Sequence, residues 1–267
     1  MTEFANPAAY ELWMGRWSAR LAPTFAAFAD VSAKSRLLDV GSGTGALSLA
    51  LLAAHPEAEI VGVEPSESYV ARCRENCADP RLRFEVGDAL ALAFPDASFD
   101  AALSLLVLQE IPDAARAVRE MFRVTRPGGV VAASQWDFAE GMPMLALFWD
   151  AVLDVAPSQA ARETASACME VDYPDAAALR GLWRNARLAK IETERQQVEM
   201  TFASFEDYWR PFAAGVSPAS SFAATLAEAE RSEIERRLRR KTLGAAPDGP
   251  FTLSAHAWAI RGIVPEA

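Results

Sequence analysis

Apolar residues recur along this chain in two alternating rhythms. Short aliphatic runs at Arg36–Val40, Glu59–Glu64, Leu82–Val86, Phe99–Leu106 and Val130–Ser134 read as strands buried on both faces. Between them, Ala46–Leu52 and Pro65–Ala78 read as helices, as does the stretch that begins at Pro112-Asp113. In this last one, Ala114, Val118, Met121 and Phe122 share one side, and Arg116, Arg119, Glu120 and Arg123 share the other. Strands and helices that alternate through short turns predict a parallel sheet covered on both faces. The run Arg126-Pro127-Gly128-Gly129 reads as a tight turn into the strand that follows.

The ends of the chain follow other rhythms. From Ala8 to Asp30, Tyr10, Trp13, Met14, Trp17, Leu21 and Phe25 fall at helical spacing, and Pro23 predicts a division into two pieces. Beyond Gln135 the pattern loosens. Met142–Val155 and Asp175–Asn185 read as helices. Lys190–Thr201 and Thr252–Arg261 alternate as strands, the second with Leu253, Ala255, Ala257 and Ala259 on one side. Between these strands lie roughly 48 residues, Phe202 to Gly249, too many for a hairpin loop. They carry Phe202, Phe205, Tyr208, Trp209, Phe212 and Phe222. A long aromatic segment above such a sheet predicts a substrate cover, with an accessory helical cap or a homodimer face as the alternative.

Composition narrows the choices. A chain of 267 residues, 51% hydrophobic and 23% charged, is an ordinary globular chain. Its net charge of −10 argues against nucleic acid. The densest basic run, Arg236-Arg237-Leu238-Arg239-Arg240-Lys241, follows Glu228, Glu230, Glu233 and Glu235 and reads as a solvated helix. Three cysteines, Cys73, Cys77 and Cys168, suggest neither a disulfide framework nor, with no histidine beside them, a metal site. Met1–Pro7 lacks a basic region followed by an apolar run, which predicts no signal peptide. No apolar run reaches the ~20 residues of a membrane span. A cytoplasmic location is the default expectation.

Candidate chemistry gathers at the carboxyl ends of the strands. Leu37-Leu38-Asp39-Val40-Gly41-Ser42-Gly43-Thr44-Gly45 is a strand, a glycine turn and a helix start. Glycines at alternate positions permit positive φ and close approach of a ligand to bare backbone, and the helix start offers unpaired N–H groups. The spacing is G-x-G-x-G rather than the dinucleotide pattern G-x-G-x-x-G. Asp39 stands where a pyrophosphate would otherwise sit, so a positively charged ligand suits the turn better. Glu64 ends the second strand 19 positions beyond Gly45 and is placed to accept bonds from ribose hydroxyls, with Pro65 beside it. After the third strand, Asp88 in Gly87-Asp88-Ala89 is suited to an adenine amino group, and the N–H that follows it to a ring nitrogen. Ser104 and Leu105 end the fourth strand beside the first. In Tyr10-Glu11-Leu12-Trp13-Met14-Gly15-Arg16-Trp17, a tyrosine hydroxyl and a guanidinium are suited to a carboxylate, which makes this segment either a lid or a helix packed on the core.

The glycine turn D-V-G-S-G-T-G resembles motif I of the class I S-adenosylmethionine-dependent methyltransferases. Gly87-Asp88-Ala89-Leu90-Ala91-Leu92-Ala93-Phe94-Pro95-Asp96-Ala97-Ser98-Phe99-Asp100 resembles the adenine-binding motif of that class, with Ala93 in place of its first proline. Y-x-x-W-M-G-R-W-S and R-P-G-G-x-V are further marks. The chain looks like the ubiquinone/menaquinone-biosynthesis branch, the methyltransferase type 11 group, over about residues 8–135. The resemblance implies a Rossmann-like, doubly wound α/β sheet of seven strands, mostly parallel, whose last two strands form an antiparallel hairpin at the sheet edge. It implies residues 1–30 as a lid, 31–200 and 250–267 as the cofactor-binding core, and 201–249 as a helical cover. It further implies S-adenosyl-L-methionine as cofactor and S-adenosyl-L-homocysteine as product. The cofactor-binding residues would be Tyr10, Arg16, Trp17, Asp39, Gly41, Ser42, Gly43, Gly45, Glu64, Pro65, Gly87, Asp88, Ala89, Ser104 and Leu105.

A sulfonium methyl is already activated, so the protein's task is alignment and exclusion of water. Gln109 and Glu110 lie nearest the methyl on this reading and are the candidate catalytic residues, while His55 and His256 read as a helix end and as packing. Trp136, Tyr208, Trp209 and Phe212 are the candidates for a small, partly apolar acceptor. A nicotinamide-dependent oxidoreductase and a non-catalytic cofactor-binding module are the alternative readings.

Overall fold

The computed structural model describes residues 7–214 and 217–266. The signal-peptide reading of Met1–Pro7 falls almost wholly outside them. Seven strands form one sheet: β1 (Arg36–Val40), β2 (Glu59–Glu64), β3 (Leu82–Val86), β4 (Phe99–Leu105), β5 (Thr125–Trp136), β6 (Ala189–Phe202) and β7 (Phe251–Ile263). Their order is β3-β2-β1-β4-β5-β7-β6. β1 pairs in parallel with both β2 and β4, with Leu38 lying between Val61 and Ala102. β7 runs antiparallel between β5 and β6. The alternation predicted a parallel sheet covered on both faces, and the order is that of the Rossmann-like, doubly wound sheet that the resemblance implies. The chain direction reverses its progress across the sheet between β1 and β4, where ligands of such sheets bind.

Alternate residues of each strand feed two cores. Leu37, Ile60, Ala101, Leu103 and Ala132 face one core, and Leu38, Val61, Ala102 and Val131 face the other. The second core is closed by α5 (Ala114–Val124) and α8 (Ala176–Asn185), each capped by an aspartate that accepts the N–H three residues on: Asp113 from Arg116, and Asp175 from Ala178. The strand expected from Val130 starts earlier, at Thr125, and runs through Arg126-Pro127-Gly128-Gly129 with Gly128 at φ +76°. A Cβ at Gly129 would sit 2.6 Å from the Asp100 carbonyl, so the strands close up only because that position is glycine.

The N-terminal segment departs from expectation in one respect. It is α1 (Pro7–Tyr10), a π-helical turn (Glu11–Gly15) and α2 (Arg16–Ala29), and Pro23 lies inside an unbroken α2. The irregularity falls at the π turn instead. Pro23 and Ala19, whose carbonyl the ring leaves without an N–H partner, are both exposed, so that carbonyl is open to solvent instead of stranded in the core.

The helical layer expected as a cover draws on two separate stretches of chain. α9 (Phe205–Ala213), α10 (Pro218–Thr225) and α11 (Glu228–Leu243) lie between β6 and β7, as the excess of residues there implies. α6 (Pro143–Val155) packs on α11, and α7 (Gln159–Met169), for which the pattern gave no helix, packs on α10. The basic run on α11 has a definite use here: Arg237 pairs with Asp154 and Lys241 with Asp150, both on α6. These pairs are solvent-exposed and orient the helices more than they stabilise them. Among the described residues no helix is long and apolar enough to cross a membrane.

Because Pro23 leaves the exposed Ala19 carbonyl without its helical bond, Pro23→Ala is expected to raise the unfolding free energy by about 1–3 kcal/mol, visible as a higher Tm. An unchanged or lower Tm would show that α2 is adapted to the proline.

Candidate functional site

Four parallel strands deliver four loops to one end of the sheet: Gly41–Gly45 after β1, Glu64–Ser66 after β2, Gly87–Ala89 after β3 and Leu106–Glu110 after β4. The first is a tight left-handed turn. Gly41, Gly43 and Gly45 have φ of +74°, +53° and +91°, a region in which a side chain is strained. Gly41 N–H and Ser42 N–H both donate to the Val63 carbonyl, at 2.8 and 3.0 Å, which ties the turn to β2. A Cβ at Gly41 would meet Val107 Cγ1 at 2.4 Å, so the loop after β4 is packed against the turn itself. At Gly43 nothing lies within 4 Å of an added Cβ. Open space thus lies against this residue, whose backbone is bare.

Glu64 reaches back to the same turn. Its Oε2 accepts Gly43 N–H at 3.1 Å and its Oε1 accepts Ser66 N–H at 3.1 Å. Burial raises its pKa despite these two bonds. Asp39 is fully buried beneath the turn. One oxygen accepts Ser48 O–H at 2.7 Å, the other has no partner, and burial pushes its pKa up to about 7. The Cys73 thiol, on α4 (Glu67–Asn76), donates to the Gly43 carbonyl at 3.2 Å. Burial first, and then the charges of Asp39, Glu64 and Glu11, lift it to about 12, so it stays a thiol. Tyr10 lies edge-on to Tyr69 of α4, with ring centroids 6.0 Å apart, and its hydroxyl is 2.9 Å from Ser18 Oγ. Burial, with the charges of Glu11, Glu110 and Glu64, pushes Tyr10 up to about 12.

Of the eleven buried side-chain polar atoms without a partner among the described residues, four lie on the elements around this turn: Asp39 Oδ1, Ser42 Oγ, Tyr69 OH and Gln109 Oε1. Buried polar groups in native proteins are normally satisfied. Four of them on the elements that surround one open glycine are the imprint expected of a polar ligand. The donor set also fits a nucleoside with a cationic arm. Glu64 and Asp39 offer negative charge, and no phosphate is needed. Asp88 is exposed, accepts Leu90 N–H at 2.8 Å through Oδ1 and holds the third loop, with Pro65 exposed and Gly87, Ala89 and Leu90 half-buried. Gln109 and Glu110 form a short 3-10 turn with Leu108, and Gln109 Nε2 donates to Glu110 Oε1 at 3.4 Å. Leu106, just before it, has φ +62° and anchors to the Ser134 carbonyl at 2.7 Å. A leucine held in the left-handed region is the kind of strain found at working loops.

Other candidate residues are placed elsewhere. Arg16 grips a carboxylate of the chain itself: Nη1 lies 2.8 and 3.0 Å from the Asp207 oxygens, and its guanidinium covers Trp17 at 4.2 Å. Trp17 is fully buried and meets Phe202 edge-on at 5.2 Å. These residues tie α2 to the cover rather than facing the glycine turn. Ser104 is buried and donates to the Val40 carbonyl at 2.9 Å, holding β4 to β1, and Leu105 is core. Trp136, Tyr208, Trp209 and Phe212 are interior. Tyr208 donates to the Met144 carbonyl at 3.0 Å, and Phe212 stacks on Phe148 at 4.3 Å. All four belong to the core on one face of the sheet, which thus runs on into the cover. Conversely, Tyr69, Cys73 and Val107 belong to the site's frame without having been singled out in the sequence. The available signal was the helical spacing of Tyr69, Val70 and Cys73 behind Glu64.

The raised pKa of Asp39 has a definite sign. Between its ordinary value near 3.8 and about 7 the folded chain keeps a proton that the unfolded chain has lost. Stability therefore falls as pH rises through that window and stays lowered above it. Asp39→Asn is expected to remove about 2–4 kcal/mol of that decline between pH 4 and pH 8, read as parallel denaturant titrations of the two proteins. Equal pH dependence in both would refute the burial of an ionisable Asp39.

Comparison with known proteins points to the same end of the sheet. Residues 38–133 match the family described as a methyltransferase domain. The chain is 36% identical over 117 residues to 27-O-demethylrifamycin SV methyltransferase of Amycolatopsis mediterranei, covering 42% of this chain and 43% of that protein. It is 41% identical over 108 residues to demethylmenaquinone methyltransferase of Deinococcus radiodurans, covering 39% and 45%. The chain thus spans less than half the length of these relatives. In fold it is similar to phosphoethanolamine N-methyltransferase 2 of Haemonchus contortus, solved in complex with S-adenosyl-L-methionine. The TM-score is 0.59 at 18% identity, over 97% of this chain and 57% of that one. The matched segment begins in β1 and ends in β5, so it contains all four loops of the site. Over residues 38–133 this chain is similar to the family described as a methyltransferase domain, and the match extends over no more of it.

Proposed function

We propose that this chain is an S-adenosyl-L-methionine-dependent methyltransferase that acts on a small, partly apolar acceptor. The observation that carries the reading is the set of unpartnered polar atoms around Gly43, the one turn glycine with open space against it. When bound there, the cofactor supplies a sulfonium methyl that passes in line to a nucleophilic atom of the acceptor, which gives up its proton. The chain's own residues hold, orient and enclose. Gly43 admits the ligand against bare backbone. Glu64 takes ribose hydroxyls while it stays bonded to the turn, since each carboxylate oxygen has a second lone pair. Asp39 gives the chamber negative charge that suits a cation. Asp88 and the Ala89 N–H address the base.

Gln109 and Glu110 occupy the loop after β4, at the switch point, and are the groups placed to orient the nucleophile or take its proton. Glu110 is exposed and Gln109 half-buried, so both are within reach of an acceptor entering from the cover. A partly apolar acceptor is supported by the relatives rather than by the aromatic residues of the cover, which are packed inside it. Acceptors named for the relatives, among them a demethylmenaquinone, are of that kind. The same reading gives S-adenosyl-L-homocysteine as the product, a small molecule rather than nucleic acid as the acceptor, a cytoplasmic location, and a homodimer as the assembly to test for. Residues 7–30 would serve as lid, and the cover would comprise α9–α11 together with α6 and α7.

Calorimetric titration with S-adenosyl-L-homocysteine is expected to give micromolar binding, and NADH none. Binding of NADH alone would replace this reading with an oxidoreductase. Gly43→Val and Gly41→Ala separate ligand space from fold. Gly43→Val is expected to weaken S-adenosyl-L-homocysteine at least tenfold while costing about 1–2 kcal/mol of stability for the left-handed backbone. Gly41→Ala, which collides with Val107, is expected to cost more stability. Unchanged affinity in folded Gly43→Val would move the ligand away from the turn.

A further inference from the structure

One buried side chain of α4 carries a polar atom that is not satisfied within the protein. Tyr69 is 4% exposed, and its hydroxyl is buried with no hydrogen-bond partner among the described residues. It stands three residues into α4, immediately behind Glu64 and Ser66, and its ring meets Tyr10 of the N-terminal segment edge-on. Four residues on, one helical turn along the same face, Cys73 bonds the Gly43 carbonyl. The Tyr69 ring is thereby fixed between the N-terminal segment and the flank of the turn. Burial, and after it Tyr10 and the charges of Glu64 and Glu11, raise its pKa, which keeps the hydroxyl protonated.

The bond that this hydroxyl lacks has a particular polarity. A phenol buried without a partner costs stability, so the position is maintained at a loss unless something else completes it. Glu64 has its carboxylate oxygens on Gly43 N–H and Ser66 N–H rather than on Tyr69. The protonated hydroxyl is a donor that needs an acceptor, and Glu64 beside it is an acceptor that needs further donors. A sugar hydroxyl is both at once, since its oxygen accepts while its proton is donated.

Resting on the proposed cofactor site, we infer that Tyr69 is a further ligand-binding residue, donating its hydroxyl proton to a ribose hydroxyl oxygen whose own proton goes to Glu64. The ligand class is the nucleoside part shared by the methyl donor, its product and any other 5′-thioadenosyl compound. The amino-acid arm takes no part in this contact. In the free protein the unmet hydroxyl is a destabilising feature, and in the complex it becomes a stabilising one.

The test is Tyr69→Phe, which deletes one oxygen and keeps the ring against Tyr10. Thermal unfolding without ligand is expected to give an equal or higher Tm, because the lost group was unsatisfied. Calorimetry is expected to show five- to twentyfold weaker binding both of S-adenosyl-L-homocysteine and of 5′-methylthioadenosine, which lacks the amino-acid arm. Weakening confined to S-adenosyl-L-homocysteine would overturn the ribose assignment, and unchanged affinity for both would overturn the contact altogether. A lower Tm without ligand would mean that the hydroxyl is already partnered in the free protein, which also overturns the inference. If the unaltered protein binds neither compound, the cofactor reading itself fails, a result distinct from normal binding by Tyr69→Phe.

Discussion

A turn that carries three glycines at positive φ within five residues must be held from outside, because its own backbone offers few bonds to hold it. Here the holding comes from every side. The Val63 carbonyl takes two of its N–H groups, Glu64 takes a third, the Cys73 thiol binds a carbonyl, and Val107 fills the space left by the missing Cβ of Gly41. β2, α4 and the loop after β4 are thereby fixed relative to β1 by one small structure. The rest of the site hangs on that arrangement, since the acidic groups and the unpartnered hydroxyls sit on the elements so tied.

Electrostatics at the turn run against folding and toward binding. Asp39 and Glu64 are both pushed up by burial, and so are Tyr69 and Cys73, with the charge of Glu64 adding to both and that of Asp39 to Cys73. Such a chamber is costly to ionise when it faces only itself. A ligand that brings positive charge and several hydroxyls relieves both the charge and the missing bonds. The stability of the free domain and its affinity are thus opposite sides of the same group of side chains.

Much of this was legible in the sequence because period and spacing report directly on geometry. The aliphatic runs gave five strands, and the glycine spacing with Asp39, Glu64 and Asp88 gave the loops at one sheet end. What the pattern could not carry was the direction of side chains that serve two plausible masters. Arg16 has the chemistry to hold a ligand carboxylate, but Asp207 lies 191 positions away in sequence and reaches it first. Tyr208 and Phe212 look like an acceptor wall and are packed into the interior of the cover instead. Pro23 reads as a break, yet on a solvent-facing position the helix passes through it. α7 escaped notice because its moderate amphipathicity rests on alanines, which bury little area. Tyr69 and Cys73 were hidden for the opposite reason, since on an ordinary amphipathic helix they are indistinguishable from core.

The interlock of Gly41 with Val107 has a consequence for how this scaffold can diverge. The loop that carries Gln109 and Glu110 leaves the sheet over a side chain wedged against the turn, so enlarging position 107 would displace the turn itself. Sequence change is therefore freer where the chain does not touch that wedge, as in the helical stretches at 143–169 and 203–250. One end of the molecule is committed by its geometry, and the other is open to drift.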